Sequence, residues 1–355
     1  MRILIATVQV PFISGGAEAH AEGLRAALVA AGHEAEIVSV PFNWHPPERV
    51  TDHMLACRLL DLTSFNGVPV DLLVGLKFPA YLIPHPNKVL WILHQHRQAY
   101  ELWEHPTLGD LAYHPNGARV RDAVREADRR LIPEARRVYA NSRNVARRLK
   151  SFCGVESAPL YHPPPHADEF YAAGAEDYFF FPSRLGRAKR QELVVRALAR
   201  TRQPVRVVFS GAAEYPSEPR RLKDLADELK VGGRAQWLGP VGERKKRELF
   251  ARSLAVVYTP FDEDYGYVTL EAMLSSKAVV TCADSGGPLE FVRDGETGLV
   301  AAPDAEALAS AFDELWQERK RAREYGEAGR ALYESLDISW PKVVETLLSG
   351  SESSS

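Results

Sequence analysis

Two glutamates, Glu263 and Glu271, stand eight residues apart around a glycine in "FDEDYGYVTLEAM" (261–273). On a single helix that spacing separates the carboxylates by about 12 Å and rotates them off a common face. A hydrolase pair, which works at roughly 5–9 Å, is thereby excluded. Two hydroxyl-rich groups at opposite ends of a longer ligand fit better. Upstream, "SRLGRAKRQELVVRAL" (183–198) sets Arg184 at an expected strand end and Lys189 five residues later, before a helix. A forked guanidinium and a mobile ammonium at the carboxyl edge of a sheet suit a diphosphate. Taken alone, a solvated charge run including Arg187 and Arg190 is the plainer reading.

Glycines mark further candidates. Gly15 and Gly16 open an expected helix ending near Gly32-His33, where small residues let backbone N–H groups approach an anion. A tight strand-to-helix turn explains them equally well. Gly211 ends a strand in "VVFSGAAEYP", and Val241 lies in the turn of "RAQWLGPVGERKKRELF". Such loops hold a flat base through main-chain groups, although any strand-to-helix connection looks similar. Gly266 is expected to begin a helix with its first N–H groups exposed, with Glu263 in the loop before it and Glu271 inside it. Gly286-Gly287 follow the next strand.

These groups need a scaffold that brings strand ends together. Ten short apolar runs alternate with helical lengths: 2–10, 34–40, 70–77, 88–96 and 136–142, then 178–184, 205–211, 235–239, 254–260 and 278–284. Near-continuous apolar runs at this spacing indicate parallel strands buried on both faces, hence a doubly wound α/β arrangement occurring twice. Between the halves, "SAPLYHPPPHADEFYAAGAED" (157–177) has three consecutive prolines and reads as a stiff linker resisting helix and strand. The expected layout is a first domain over 1–165, a second over 166–336, a helix over 337–350 returning to the first, and a disordered tail over 351–355. Ligands of such sheets bind outside the carboxyl ends of the strands, here in a cleft between the domains.

Bulk properties narrow the class. With 355 residues, 45% apolar and 26% charged, the chain is long enough for two ordinary cores. A net charge of −3 gives no global field favouring nucleic acid. Three scattered cysteines fit a reducing cytoplasm better than a disulfide or zinc framework. "MRILIATVQV" has too short an apolar run for a signal peptide and reads as a buried first strand. No run approaches the roughly 18 residues that span a bilayer. A G-x-G-x-x-G dinucleotide fingerprint is missing, and "EAEIVSV" ends without an acidic residue for a ribose.

In their order along the chain, "GGAEAHAEGLRAALVAAGHE", "SRLGRAKRQELVVRAL", "FDEDYGYVTLEAM", "GGPLEFVRDGETGLV" and "SWPKVVETLL" resemble glycosyltransferase family 4, retaining enzymes of the two-domain GT-B fold. The resemblance covers nearly the whole chain. It implies that Arg184 and Lys189 hold a donor's diphosphate, with Gly15 and Gly16 approaching from the first domain. It gives the transferred sugar to Glu263 and the backbone of Gly266, Tyr267 and Val268, and the ribose to Glu271. His94, ending "VLWILH", resembles the family's strand-end histidine facing the donor sugar. The implied catalytic set is therefore Glu263, Arg184, Lys189 and His94. Departures include Glu263-Asp264-Tyr265-Gly266 in place of Glu-Gly-Phe-Gly, a lone Gly211 where Gly-x-Gly is common, and "YHPPPHADEF" in the linker.

The expected reaction is transfer of a hexose-type sugar from a UDP- or GDP-linked donor to a glycan, lipid-linked glycan or small molecule. Fixed positive charge at the leaving diphosphate is the largest stabilising term, so no metal and no cofactor are called for. Acceptor choice is expected in "KVLWILHQHRQAYELWEHP" (88–106), with His94, His96, Arg97, Tyr100 and Trp103 near the cleft and Trp91 in the core. The region 119–150 holds 11 Arg/Lys against four Asp/Glu. It suits contact with an anionic membrane at the inner face, or simply a solvated helical surface. A non-hydrolysing sugar-nucleotide epimerase and a non-catalytic nucleotide-sugar-binding protein are the competing readings.

Overall fold

Strands buried on both faces need apolar side chains throughout, and the central ones among the ten runs supply them, whereas the run at 34–40 mixes exposed residues with buried and half-buried ones. A computed structural model of the protein describes residues 1–12 and 15–349. The serine-rich stretch 351–355, expected to be disordered, lies outside the described residues. The chain divides into two units, Met1–Pro165 with the chain from Ile338 onward, and His166–Asp337.

In the first unit, strands β1 (Arg2–Gln9), β2 (Glu34–Pro41), β5 (Leu72–Gly75), β6 (Lys88–Ile92), β7 (Arg137–Ala140) and β8 (Ala158–Pro159) form one parallel sheet. Its order is β2-β1-β5-β6-β7-β8. A small antiparallel hairpin, β3 (Ser64–Phe65) with β4 (Val68–Pro69), stands apart. One face of the sheet packs Ile3, Ile5, Val74 and Trp91 against Leu24 and Leu28 of the helix Gly16–Ala30. Val343, Val344 and Leu347 of the helix Trp340–Leu348 join the same cluster. Trp91 is fully buried, as expected of a core residue, and its indole Nε1 donates to the Leu160 carbonyl at 3.1 Å. Buried beside it, His20 and His162 share one hydrogen bond, Nδ1 to Nε2 at 2.9 Å, and Trp340 closes the aromatic cluster.

The stretch 157–177 is not wholly a linker. Ala158 and Pro159 pair with Tyr139 and Ala140 as the edge strand of the first sheet. Proline is tolerated there because an edge leaves one row of ladder partners unused.

In the second unit, strands β9 (Phe179–Pro182), β10 (Val207–Ser210), β11 (Ala235–Trp237), β12 (Ala255–Val257), β13 (Val279–Cys282) and β14 (Gly298–Ala301) form a parallel sheet. Its order is β11-β10-β9-β12-β13-β14. Three phenylalanines make β9 its centre. Phe180 meets Phe250 edge-on at 5.0 Å, while Phe179 stacks on Phe312 at 5.2 Å and Phe181 lies against Phe209. Each fully buried ring contributes about 1.5–3 kcal/mol, which pins the strand whose end carries Arg184. Sheet order reverses between β9 and β12, the topological switch point where crevices form at the carboxyl ends of such sheets. Among the described residues, no helix is long and apolar enough to cross a membrane.

Candidate functional site

The loops leaving β9, β12 and β13 converge at the switch point of the second unit. Lys189, in the one-turn helix Arg187–Lys189, reaches the loop after β12 and contacts the Glu263 carboxylate through Nζ. The same ammonium lies 3.3 Å from the Tyr258 hydroxyl, which itself donates to Glu263 Oε2 at 3.0 Å. Tyr258 is buried, and burial followed by the Glu263 charge holds its hydroxyl far above the ordinary tyrosine range. It therefore stays protonated and serves as a donor. An ammonium, a carboxylate and a phenol thus form a small charged nest, with Lys189 and Glu263 each about one-fifth exposed.

Backbone bonds hold the Glu263 loop. Phe261 N–H donates to the Ala188 carbonyl at 2.8 Å, Asp262 N–H to Asp284 at 2.9 Å and Glu263 N–H to Ser285 at 2.9 Å. Gly287 N–H donates back to the Glu263 carbonyl at 2.8 Å. Arg190 clamps the outside, its fork bonding both Asp284 carboxylate oxygens at 2.7 and 2.8 Å while it also donates to the Thr259 and Pro260 carbonyls. Gly266 caps the helix Tyr267–Leu274 at φ +88°, a left-handed conformation that glycine adopts without a Cβ clash. A Cβ there would also lie 3.0 Å from Pro288 Cγ. Tyr267 and Val268 open that helix, at the positive end of its dipole.

Glu271 lies inside that helix, as expected; its burial and its partner were not foreseen. Lys246, from the helix Glu243–Arg252, donates to Glu271 Oε1 at 2.9 Å. Burial raises the Glu271 pKa above the usual carboxylate range, and the Lys246 charge opposes that rise only in part. Tyr267 is likewise pushed up by burial and then by Glu271.

Arg184 is exposed just past β9, and its guanidinium has no hydrogen bond or ion pair among the described residues. Its carbonyl accepts from Gln191 Nε2 at 2.8 Å, which fixes the backbone there. Gly211 follows β10 at φ +144°, and a Cβ there would strike the Ser183 carbonyl at 2.1 Å. Close approach of two strand ends requires glycine at that position. Val241 is half-buried in the turn between β11 and the helix Glu243–Arg252.

On the first unit, Gly15 and Gly16 are exposed at the start of the helix Gly16–Ala30, and Gly15 N–H donates to Glu18 Oε2 at 2.7 Å. His94 is half-buried beyond β6, with Nδ1 2.7 Å from the Gln95 carbonyl. Gln95 in turn donates to Asp128, a fully buried carboxylate that also accepts from Tyr81 and Tyr100 at 2.8 Å each. The triplet Asp262-Glu263-Asp264 spells Asp-x-Asp, a pattern often tied to metal and nucleotide. Among the described residues, no group of three or more His, Cys, Asp or Glu side chains is placed to hold a metal ion.

Tyr258, Lys246, Arg190 and Asp284 escaped the sequence reading. Tyr258 sits in an apolar run, and Lys246 is one of four basic residues in "ERKKRELF". A helical count from the strand end is the one signal available for Lys246.

Residues 168–332 match the family model of glycosyl transferases group 1. A D-inositol 3-phosphate glycosyltransferase of Nocardia farcinica is 30% identical over 243 residues, covering 62% of this chain and 53% of the relative. An alpha-1,3/1,6-mannosyltransferase ALG2 of Dictyostelium discoideum is 31% identical over 121 residues, 34% of this chain and 29% of that one. The chain thus matches about half the length of the inositol-phosphate relative. Sucrose-phosphate synthase from Thermosynechococcus elongatus superposes with a TM-score of 0.76 at 18% identity, covering 97% of each chain. Anabaena Alr3699/HepE, solved with UDP and glucose, gives 0.72 at 17% identity over 98% of this chain and 100% of its own. At these identities the likeness shows the architecture, which is GT-B. The motifs, the family match over residues 168–332 and the two parallel-sheet units agree: the chain has the GT-B architecture and is similar to the glycosyl transferases group 1, the family 4 type.

Proposed function

We propose that this protein transfers a hexose-type sugar from a nucleoside-diphosphate donor to an acceptor hydroxyl, with retention of anomeric configuration. The observation that carries this reading is the Lys189–Glu263–Tyr258 nest at the switch point of a nucleotide-binding type of sheet, with an uncommitted Arg184 just past the end of β9. UDP and UDP-glucose in the solved Alr3699/HepE structures favour a uridine or similar donor.

Cleavage of the anomeric C–O bond leaves the electron pair on the diphosphate and oxocarbenium character on the sugar. Arg184, Lys189 and the N–H groups at the start of the helix Tyr267–Leu274 stabilise the departing charge. Glu263 and the backbone of Gly266, Tyr267 and Val268 hold the sugar. Glu271, whose Oε1 is held by Lys246, takes the ribose hydroxyls, and the loops at Gly211 and Val241 take the base. His94, Gly15 and Gly16 are assigned to the same donor on the resemblance alone. The acceptor oxygen bonds to the anomeric carbon on the face the diphosphate leaves, and its proton passes to a phosphate oxygen. This scheme uses neither a side-chain base nor a metal.

The test is incubation with a panel of UDP- and GDP-sugars, scored for slow release of free nucleotide without acceptor. One donor is expected to respond, and Lys189→Ala is expected to abolish the release. No binding and no release with any donor, or an unchanged rate in Lys189→Ala, overturns the proposal.

A further inference from the structure

Arg190 adopts φ +59°, the left-handed region where a side chain is disfavoured and glycine is at ease. A chain that keeps an arginine there must recover the cost through the side chain. The guanidinium does so with four hydrogen bonds that tie its own loop to two other chain segments. Nε donates to the Thr259 carbonyl at 2.7 Å and one terminal nitrogen to the Pro260 carbonyl at 2.6 Å. The two terminal nitrogens grip Asp284 at 2.7 and 2.8 Å. The side chain is only 18% exposed, so these charge-assisted bonds are poorly screened.

The three segments are the ones that set the site. Arg190 follows Lys189 directly, Thr259 and Pro260 lead into the Glu263 loop, and Asp284 lies in the loop whose Asp284 and Ser285 carbonyls receive the Asp262 and Glu263 N–H groups. We infer that Arg190, acting with Asp284, is a positioning residue that fixes Lys189 and Glu263 against each other. Arg190 itself makes no hydrogen bond or ion pair with either side chain among the described residues. The inference rests on the reading above of Lys189 and Glu263 as donor-holding groups. Lysine cannot replace this arginine in full, because one ammonium cannot span a carboxylate and two carbonyls at once.

Arg190→Gly and Asp284→Asn test it. Arg190→Gly suits the backbone better while deleting the clamp, which separates positioning from general stability. Amide exchange at Phe261, Asp262 and Glu263 is expected to quicken at least ~10-fold in both variants, as a loop losing its tether opens more often. With the responding donor, kcat is expected to fall about 100-fold, the scale of a misplacement near 1 Å, while KM stays within about three-fold. Arg190→Lys should fall between, and the double variant should be no worse than the poorer single one. Unchanged exchange in both variants overturns the inference, as does altered exchange with kcat intact. If Arg190→Gly does not fold, Asp284→Asn and Arg190→Lys carry the same readouts. Should the unmodified protein act on no donor, the exchange experiment still decides the clamp, and the failure belongs to the functional reading alone.

Discussion

Acidification should destabilise the first unit before most of its carboxylates are titrated, because of buried histidines, above all two that face each other. His20 is buried between Trp91 and His162, and burial drops its pKa to about 3. His162 is pushed well below the ordinary value by burial and by His20. His96 falls to about 4 for the same reason, with His94 adding to the effect. A histidine depressed in the folded state contributes its full stability above the unfolded value near 6.5 and loses it as pH falls toward the folded value. Between pH 7 and pH 5, His20 therefore costs about 2 kcal/mol and His96 nearly as much. His162 adds in the same direction. Asp128 works the other way: burial raises its pKa to about 6, so its protonation in acid returns about 1 kcal/mol. The net loss of at least ~2–3 kcal/mol is a large share of an ordinary domain's stability of about 5–15 kcal/mol. Urea unfolding at pH 7, 6 and 5, followed by the fluorescence of buried Trp91 and its neighbour Trp340, measures the slope. In His20→Phe, one fewer proton is taken up on unfolding, which flattens the slope by about 1.4 kcal/mol per pH unit below 6.5. An identical slope in His20→Phe would refute the assignment of acid lability to this pair.

Other expectations concern the second unit. Glu263→Gln removes the carboxylate that neutralises Lys189, so free UDP or GDP should bind as well or a few-fold tighter by calorimetry. Donor breakdown in the same variant should fall about 100-fold or more, the scale of a lost transition-state contact; parallel losses of both would contradict the division of roles. Lys246→Met leaves Glu271 buried without its ammonium and should cost about 3 kcal/mol at pH 7. Because that carboxyl then has a further raised folded pKa, the deficit should shrink as pH falls, and Glu271→Gln added to Lys246→Met should recover much of it. Gly266→Ala places a side chain at φ +88° against Pro288 and should cost about 1–2 kcal/mol, read as a thermal midpoint lower by roughly 2–8 °C.

The strands were legible because they are buried on both faces and so spell themselves as apolar runs. "YFFFPSR" became β9, "LAVVYTP" became β12 and "AVVTCAD" became β13, each trimmed by one to three residues at its ends. Two sheet strands escaped. Ala158–Pro159 is a two-residue edge inside a proline-rich segment, and Gly298–Ala301 is an edge strand with only three apolar side chains. At an edge one ladder is missing and one flank is open, so the apolar demand that makes a strand visible is weakest there.

The site divides along the same physical line. The residues proposed to meet the donor sit where a strand stops, and a strand's stop is visible in one dimension. Arg184, Lys189, Glu263 and Gly266 could therefore be nominated without coordinates, once the order of the motifs along the chain was added to their positions. Residues that hold those groups in place lie wherever the fold happens to bring a partner: Tyr258 within an apolar run, Lys246 25 residues before Glu271, Asp284 94 residues after Arg190. No periodicity encodes such pairs, because the distance between them is set by the order β9-β12-β13 and not by the chain between. Arg190 is the clearest case. In sequence it is one more base in "GRAKRQ", and its positive φ and its bite on Asp284 exist only once the sheet has placed three loops side by side. Spelling therefore favours groups at strand ends and hides the partners that the fold brings to them.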